Sequence, residues 1–163
     1  MRKGGLAKMK MKTKAMGALA CAGMLAASLG LAACGGGNAS YADGTYTAQS
    51  EIWEDEENGE GNGYGVVTIT IKNGKIAEAD FQTYTPNGEL KGEDYGMVNG
   101  HIGNQDFYNK AQKAVAANPE YASKLVAVGN PDGVDVISGA TISHNEFVEA
   151  AWAALDKAAA AAK

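Results

Sequence analysis

Val66-Val67-Thr68-Ile69-Thr70-Ile71-Lys72-Asn73-Gly74-Lys75-Ile76-Ala77-Glu78-Ala79-Asp80-Phe81 is the stretch from which the fold is read. Val67, Ile69 and Ile71 alternate with Val66, Thr68 and Thr70, the period of two of a strand with one buried face. Asn73-Gly74 is a hairpin turn, because both central positions of the tight turn need positive φ. A strict register would set Ile76, Glu78 and Asp80 on the face of Ile71, Ile69 and Val67 and bury carboxylates. The apolar residues of the return strand are instead Ile76, Ala79 and Phe81. One inserted residue near Ala77–Glu78 restores the match, so a β-bulge is predicted there.

Outward from the hairpin, Gly44 to Gln49 reads as a first strand, and Glu51 to Gly63 as an acidic, glycine-rich loop containing Trp53. Tyr84 to Gly103 is a long polar connection with its clearest turn at Pro86-Asn87-Gly88; connections of this length are more often functional than ornamental. Asn104 to Ala117 fits a helix with Phe107, Ala111, Ala114 and Val115 on one side. Asn118-Pro119 is predicted to stop it and to start a second short helix, with Tyr121, Leu125 and Val128 toward the core. The last helix carries Phe147, Val148, Ala151, Trp152 and Leu155 at helical spacing. Ser143-His144-Asn145-Glu146 before it has the form of a capping box, with Ser143 as N-cap. Ala158 to Lys163 reads as its fraying end. This order predicts an α+β fold: a small antiparallel sheet with a β-hairpin, packed against two or three helices.

Residues 1–33 stand apart from that domain. Arg2, Lys3, Lys8, Lys10, Lys12 and Lys14 precede an apolar run from Ala15 to Gly30, the arrangement of a secretory signal. Leu31-Ala32-Ala33-Cys34 resembles a bacterial lipobox, in which cleavage leaves Cys34 as the lipidated N-terminus. The other reading, a transmembrane anchor, meets an apolar run too short and alanine-rich for the roughly 20 apolar residues a span needs. Cys34 and the glycine-rich stretch after it, residues 34–41, then read as lipid attachment and flexible tether. The expected location is the outer face of the cell membrane, to which lipid on Cys34, such as palmitate, would hold the chain.

Removing the signal leaves 8 basic against 19 acidic residues, a net charge of −11 in place of −5. The chain's arginine, Arg2, goes with it. Such a balance argues against nucleic acid as a partner, since phosphate-backbone binding depends on clustered Lys and Arg. Cys21 also leaves with the signal, and a lipidated Cys34 has no free thiol, so no disulfide or cysteine metal site can form. The remaining 130 residues suit one domain that relies on its core.

Asp135-Val136-Ile137-Ser138-Gly139-Ala140-Thr141, followed by Ile142-Ser143, places a hydroxyl after two small residues at the mouth of a helix. The run resembles the flavinylation motif of the FMN-binding domain family. An Asp-Gly-x-Tyr start (Asp43, Gly44, Tyr46) and the Asn-Gly hairpin lie upstream, and the resemblance covers most of residues 42 to 161. It implies an FMN-binding domain over residues 42–163 and FMN joined to Thr141 by a phosphodiester. It also implies a separate flavin transferase, using FAD and Mg²⁺, that makes the bond with AMP as leaving group. Gly139 and Ala140 leave little bulk near the backbone, and a helix beginning near Ser143 offers the phosphate amide donors and a favourable dipole. Thr141, Ala140, Gly139, Ser138, Asp135 and Ser143 are therefore the expected cofactor-binding residues. Asp135 and Ser138 read either as loop-shaping or transferase-contacting residues, or as ordinary turn hydrogen-bonders. His144 stands where many family members have serine or threonine; it is expected to alter phosphate contacts or to titrate near neutral pH.

Trp53, Tyr84 and Tyr95 are candidates to stack on a flavin, with core packing as the commoner role of any one of them. Glu51, Glu54, Asp55, Glu56, Glu57 and Glu60 lack the ordered spacing of a calcium loop and read as a solvated charge run. His101 has no companion that suggests a metal site, and no catalytic constellation is found. The resemblance thus implies a lipid-anchored carrier that shuttles electrons between membrane and extracellular redox proteins, rather than a stand-alone enzyme. The alternative is a ligand- or cation-binding surface lipoprotein of the same fold that is never flavinylated.

Overall fold

The computed structural model describes residues 40–55 and 61–163. The signal, Cys34 and most of the tether lie outside the described residues, as do Glu56, Glu57 and Glu60 of the acidic loop. Strands β1 (Gly44–Gln49), β2 (Tyr64–Lys72) and β3 (Lys75–Tyr84) form an antiparallel sheet in that order. Helices α1 (Gln105–Val128) and α2 (Thr141–Ala161) follow, with a 3₁₀ turn at Pro131–Gly133 between them.

Hydrophobic alternation sets the layering. Val67, Ile69 and Ile71 of β2 point to the core with Ala48 of β1 and Phe81 of β3. Thr45 pairs with Thr70 and Thr47 with Thr68 on the other face, at 3.3 and 2.9 Å between hydroxyls. Asn73 and Gly74 take φ of 54° and 70°, as the tight hairpin requires. Asp43 accepts from the Gly74 amide at 2.9 Å, which fastens the start of β1 to the turn; the Gly74 and Asn73 amides hold its carboxyl below the usual range. Thr70 faces Glu78 while Ile71 faces Ile76, so Ala77 is the inserted residue and the bulge lies where the pattern placed it.

Helix α1 packs on β3, and α2 on β2 and β1. Asn104 caps α1, accepting from the amides of Asp106 and Phe107 at 3.0 and 3.1 Å. The helix does not stop at Asn118-Pro119: it runs through Pro119 as one element to Val128. Proline removes one backbone donor there, but Ala117, Asn118, Tyr121, Ala122 and Leu125 are all buried, and that continuous apolar face outweighs the local break. Val128 is 51% exposed and not a core residue. The tail of α2 is not frayed as expected. Ala158 is fully buried, and its carbonyl accepts from the Ala42 amide at 3.0 Å. Among the described residues no helix is long and apolar enough to cross a membrane.

Phe81, Tyr121 and Phe147 form the aromatic centre, with Tyr121 and Phe147 stacked at 5.4 Å and Phe81 edge-on to both. Exposed Pro119 is the place where local propensity and the fold disagree. Pro119→Ala restores the missing donor, and we expect it to raise stability by about 1–3 kcal/mol in urea unfolding.

Candidate functional site

The Asp135–Thr141 run is held from beneath by Tyr121. Its hydroxyl accepts from the Ile137 amide at 2.9 Å and donates to the Ala140 carbonyl at 3.0 Å. A second tie comes from His144, whose Nε2 lies 2.7 Å from the Val134 carbonyl. His144 thus anchors the start of the loop and is not among the residues lining the groove described below. Its ring packs 5.5 Å from that of Tyr121. Gly139 has φ of +86°, and a Cβ there would lie 3.1 Å from Lys113 Cδ. The positive φ selects glycine, while the flexible Lys113 side chain could yield to a Cβ.

Helix α2 begins three residues earlier than the capping box implies. Thr141 is its first residue, Ala140 stands at the N-cap, and no side chain caps the end. Ser143 and Glu146 are instead buried inside the helix. The pattern Ser-x-x-Glu was satisfied by two residues facing the interior, and tertiary packing overrides the local signal. The amides of Thr141, Ile142 and Ser143 consequently have no protein acceptor among the described residues.

A groove of about 330 Å³ opens beside this uncapped end. Gly139, Ala140, Thr141, Ile142 and Ser143 form one rim. Opposite, α1 contributes Phe107, Ala111, Ala114 and Val115, with Lys110 among them. Thr83, Lys91, Tyr95 and Gly61 complete it. Four of the six motif residues expected at the cofactor are thus brought together: exposed Gly139 and Thr141, and buried Ala140 and Ser143. Asp135 and Ser138 are exposed and do not line the groove.

The aromatic candidates separate in the same way. Tyr95 lines the groove, whereas Tyr84 stacks on Tyr64 at 5.5 Å and Trp53 is 42% exposed beside Gly63; none of the three belongs to the core. His101 is exposed in a small bridge with Val98. Among the described residues no group of three or more His, Cys, Asp or Glu side chains is arranged to hold a metal ion.

Lys91, on the groove, carried no sequence signal, and Glu146 beside it carried only that of a helix cap. Lys91 is 6% exposed, and its Nζ donates to the Gly61 carbonyl at 3.0 Å. Glu146 is 3% exposed, with Oε1 at 3.9 Å from that ammonium. Neither carboxylate oxygen has a hydrogen-bond partner among the described residues. Burial pushes the Glu146 carboxyl up to about 7, against the pull of Lys91 and with a smaller push from Glu149. Burial also lowers Lys91, which Glu146 partly offsets.

The folded protein therefore holds the Glu146 proton more tightly than the unfolded chain between the ordinary value of 4.5 and about 7. Linkage then requires that its contribution to stability be full below 4.5 and be lost as pH rises through about 7. We expect this group to lower unfolding free energy by up to about 1.4 kcal/mol per pH unit inside that window. Glu146→Gln should flatten the slope, as read by urea unfolding at a series of pH values.

Residues 60–156, more than half of the chain, match the model of the FMN-binding domain. Among curated proteins none matches the chain in sequence. A crystal structure of a Clostridium perfringens protein is similar at 22% identity, with a TM-score of 0.53 over 74% of this chain and 91% of that one. A solution NMR structure from Clostridium thermocellum is 28% identical over 71% of this chain and 91% of its own, with a TM-score of 0.38. The first supports the fold alone. The family match agrees with a loop, an uncapped helix and an apolar groove meeting at one threonine: the chain belongs to the FMN-binding domain family, and FMN is its cofactor.

Proposed function

We propose that the protein is a lipid-anchored, exported flavoprotein in which Thr141 carries FMN covalently. The observation that carries this reading is the position of Thr141, exposed at an uncapped helix N-terminus on the rim of a largely apolar groove. The residues present fit the group. Three amides without a protein acceptor among the described residues, of Thr141, Ile142 and Ser143, together with the helix dipole, suit a phosphodiester. Lys110 on the groove and Lys113 against Gly139 supply positive charge in place of the absent arginine. Phe107, Ala111, Ala114 and Val115 offer an apolar wall to a flat ring.

When bound, FMN supplies one- and two-electron transfer; the protein supplies binding, orientation and electrostatics. Tyr121 and His144 fix the loop that leads into exposed Thr141. Attachment would form the Thr141 Oγ1–phosphorus bond as the FAD pyrophosphate breaks, AMP leaving with the hydroxyl proton. Threonine is too weakly acidic to do this unaided, hence the partner: a flavin transferase using FAD and Mg²⁺. Asp135 and Ser138, exposed and off the groove, are available to that enzyme. Residues 1–33 would export the chain, Cys34 would carry the lipid, and residues 35–41 would leave the domain free to move between membrane and extracellular redox proteins.

The test is in-gel flavin fluorescence after denaturing electrophoresis of the full chain co-produced with a flavin transferase. Wild type is expected to give a fluorescent band and an FMN mass adduct, and Thr141→Ala to lose both completely. A wild type without either would refute covalent attachment and leave FMN bound non-covalently.

A further inference from the structure

Lys91 and Glu146 are an expensive pair to place where they are. Both charges are withdrawn from water, yet the carboxylate accepts no hydrogen bond among the described residues and the ammonium stands 3.9 Å away. Such a pair is often no more stabilising than well-packed apolar residues of similar volume. Two glycines leave room beside it: a Cβ on Gly63 would meet the Tyr84 carbonyl first and then Lys91 Cε and Nζ at 2.8 Å, and one on Gly65 would meet Phe81 Cε2 at 2.6 Å before Glu146 Cβ at 3.0 Å. Stability does not account for the pair; Lys91 lines the groove with Glu146 beside it, and that position suggests a task there.

The groove has two chemically different regions. The helix end, with Lys110 and Lys113 near it, suits a phosphate. Lys91 and Thr83 are the polar groups on β3 and the loop after it, facing the apolar side chains of α1. Thr83 is itself held by Asn118 Nδ2 at 3.1 Å. An isoalloxazine ring has the matching division, an apolar dimethylbenzene end and a polar pyrimidine end rich in acceptors. Reduction adds two electrons and, near neutral pH, one proton at N5, so one negative charge remains at the N1–C2=O edge. A buried ammonium beside that edge favours the reduced ring.

We propose that Lys91 is the cation that sets the potential of the flavin in this groove, and that Glu146 is the positioning residue that governs how much of its charge the flavin meets. The inference rests on the reading that the ring attached at Thr141 lies in the groove. With Glu146 protonated the pair presents a charge of +1; with Glu146 ionised it presents none. The carboxyl titrates near neutral pH, so reduction and proton uptake at Glu146 are coupled. Other groups facing the pair are Glu149 one turn along α2, Lys110 across the groove on α1, and the Tyr95 ring 5.1 Å from Lys91 Nζ. From β2 it meets the uncharged Gly65.

The experiment is a redox titration of the FMN-loaded full chain with dithionite, followed by absorbance from pH 6 to 9. Lys91→Met is expected to weaken the preference for reduced flavin about tenfold at pH 7, a potential lower by about 30 mV for a two-electron couple. Glu146→Gln is expected to shift the potential by a similar amount upward at pH 8 and to remove the additional pH dependence. Should Lys91→Met fail to fold, Glu146→Gln decides alone. Ala114→Trp, which adds bulk to the groove wall, reports separately whether the ring is there through the flavin spectrum. A changed spectrum with wild-type potentials in the charge variants overturns the role of Lys91 alone. An unchanged spectrum with Ala114→Trp overturns the groove reading as well.

Discussion

The Tyr121 phenol sits between two backbone groups of a single loop, taking a proton from Ile137 and giving one to Ala140. Its ring is fully buried against Phe81 and Phe147, so the hydroxyl is as fixed as the core itself. Through that one atom the packing of α1 on the sheet determines where the loop ends, where α2 starts and where Thr141 stands. Gly139 can then take its left-handed conformation under Lys113, and Ala140 turns inward at the N-cap without offering a side-chain acceptor. The bare helix end is thus a consequence of the loop's anchoring.

The domain divides its labour between two helices. Helix α2 lies along β1 and β2 and supplies the rim with its N-terminal turn, whereas α1 packs on β3 and supplies the apolar wall. The sheet, polar with threonine on its outer face and apolar within, sets both helices on one side. A site formed where two helices and a strand end meet can be apolar along its length and polar at each end. That suits a molecule with a phosphate at one end and a ring at the other.

Features that depend on one element's own periodicity were legible in the amino-acid order. The β2–β3 hairpin, its turn and its bulge follow from alternation that only one register can satisfy. The threonine and its small neighbours were legible because a motif is local. Features decided by a neighbour were not. Pro119 looks like a stop until the buried face on either side of it is seen, and Ser143 and Glu146 look like a cap until both are seen to be buried inside the helix. His144 reads in the sequence as a change at the phosphate, but its ring nitrogen belongs to the Val134 carbonyl. Lys91 left no trace: a single lysine in a polar connection has no period, and its burial depends on Gly61 and Glu146, both distant in sequence, as well as on nearby Tyr95.

The bond from the Ala42 amide to the Ala158 carbonyl fixes where the chain enters the domain. Ala158 lies 17 residues after Thr141 on the same helix, and at about 1.5 Å per residue that is a separation of about 25 Å. The polypeptide therefore joins the folded body at one pole of α2, while the groove opens at the other. Any pull transmitted through residues before Ala42 is taken up at the pole remote from the groove. Under the lipid anchoring proposed above, the pole that bears Thr141 would be the part of the domain that reaches farthest from its point of attachment.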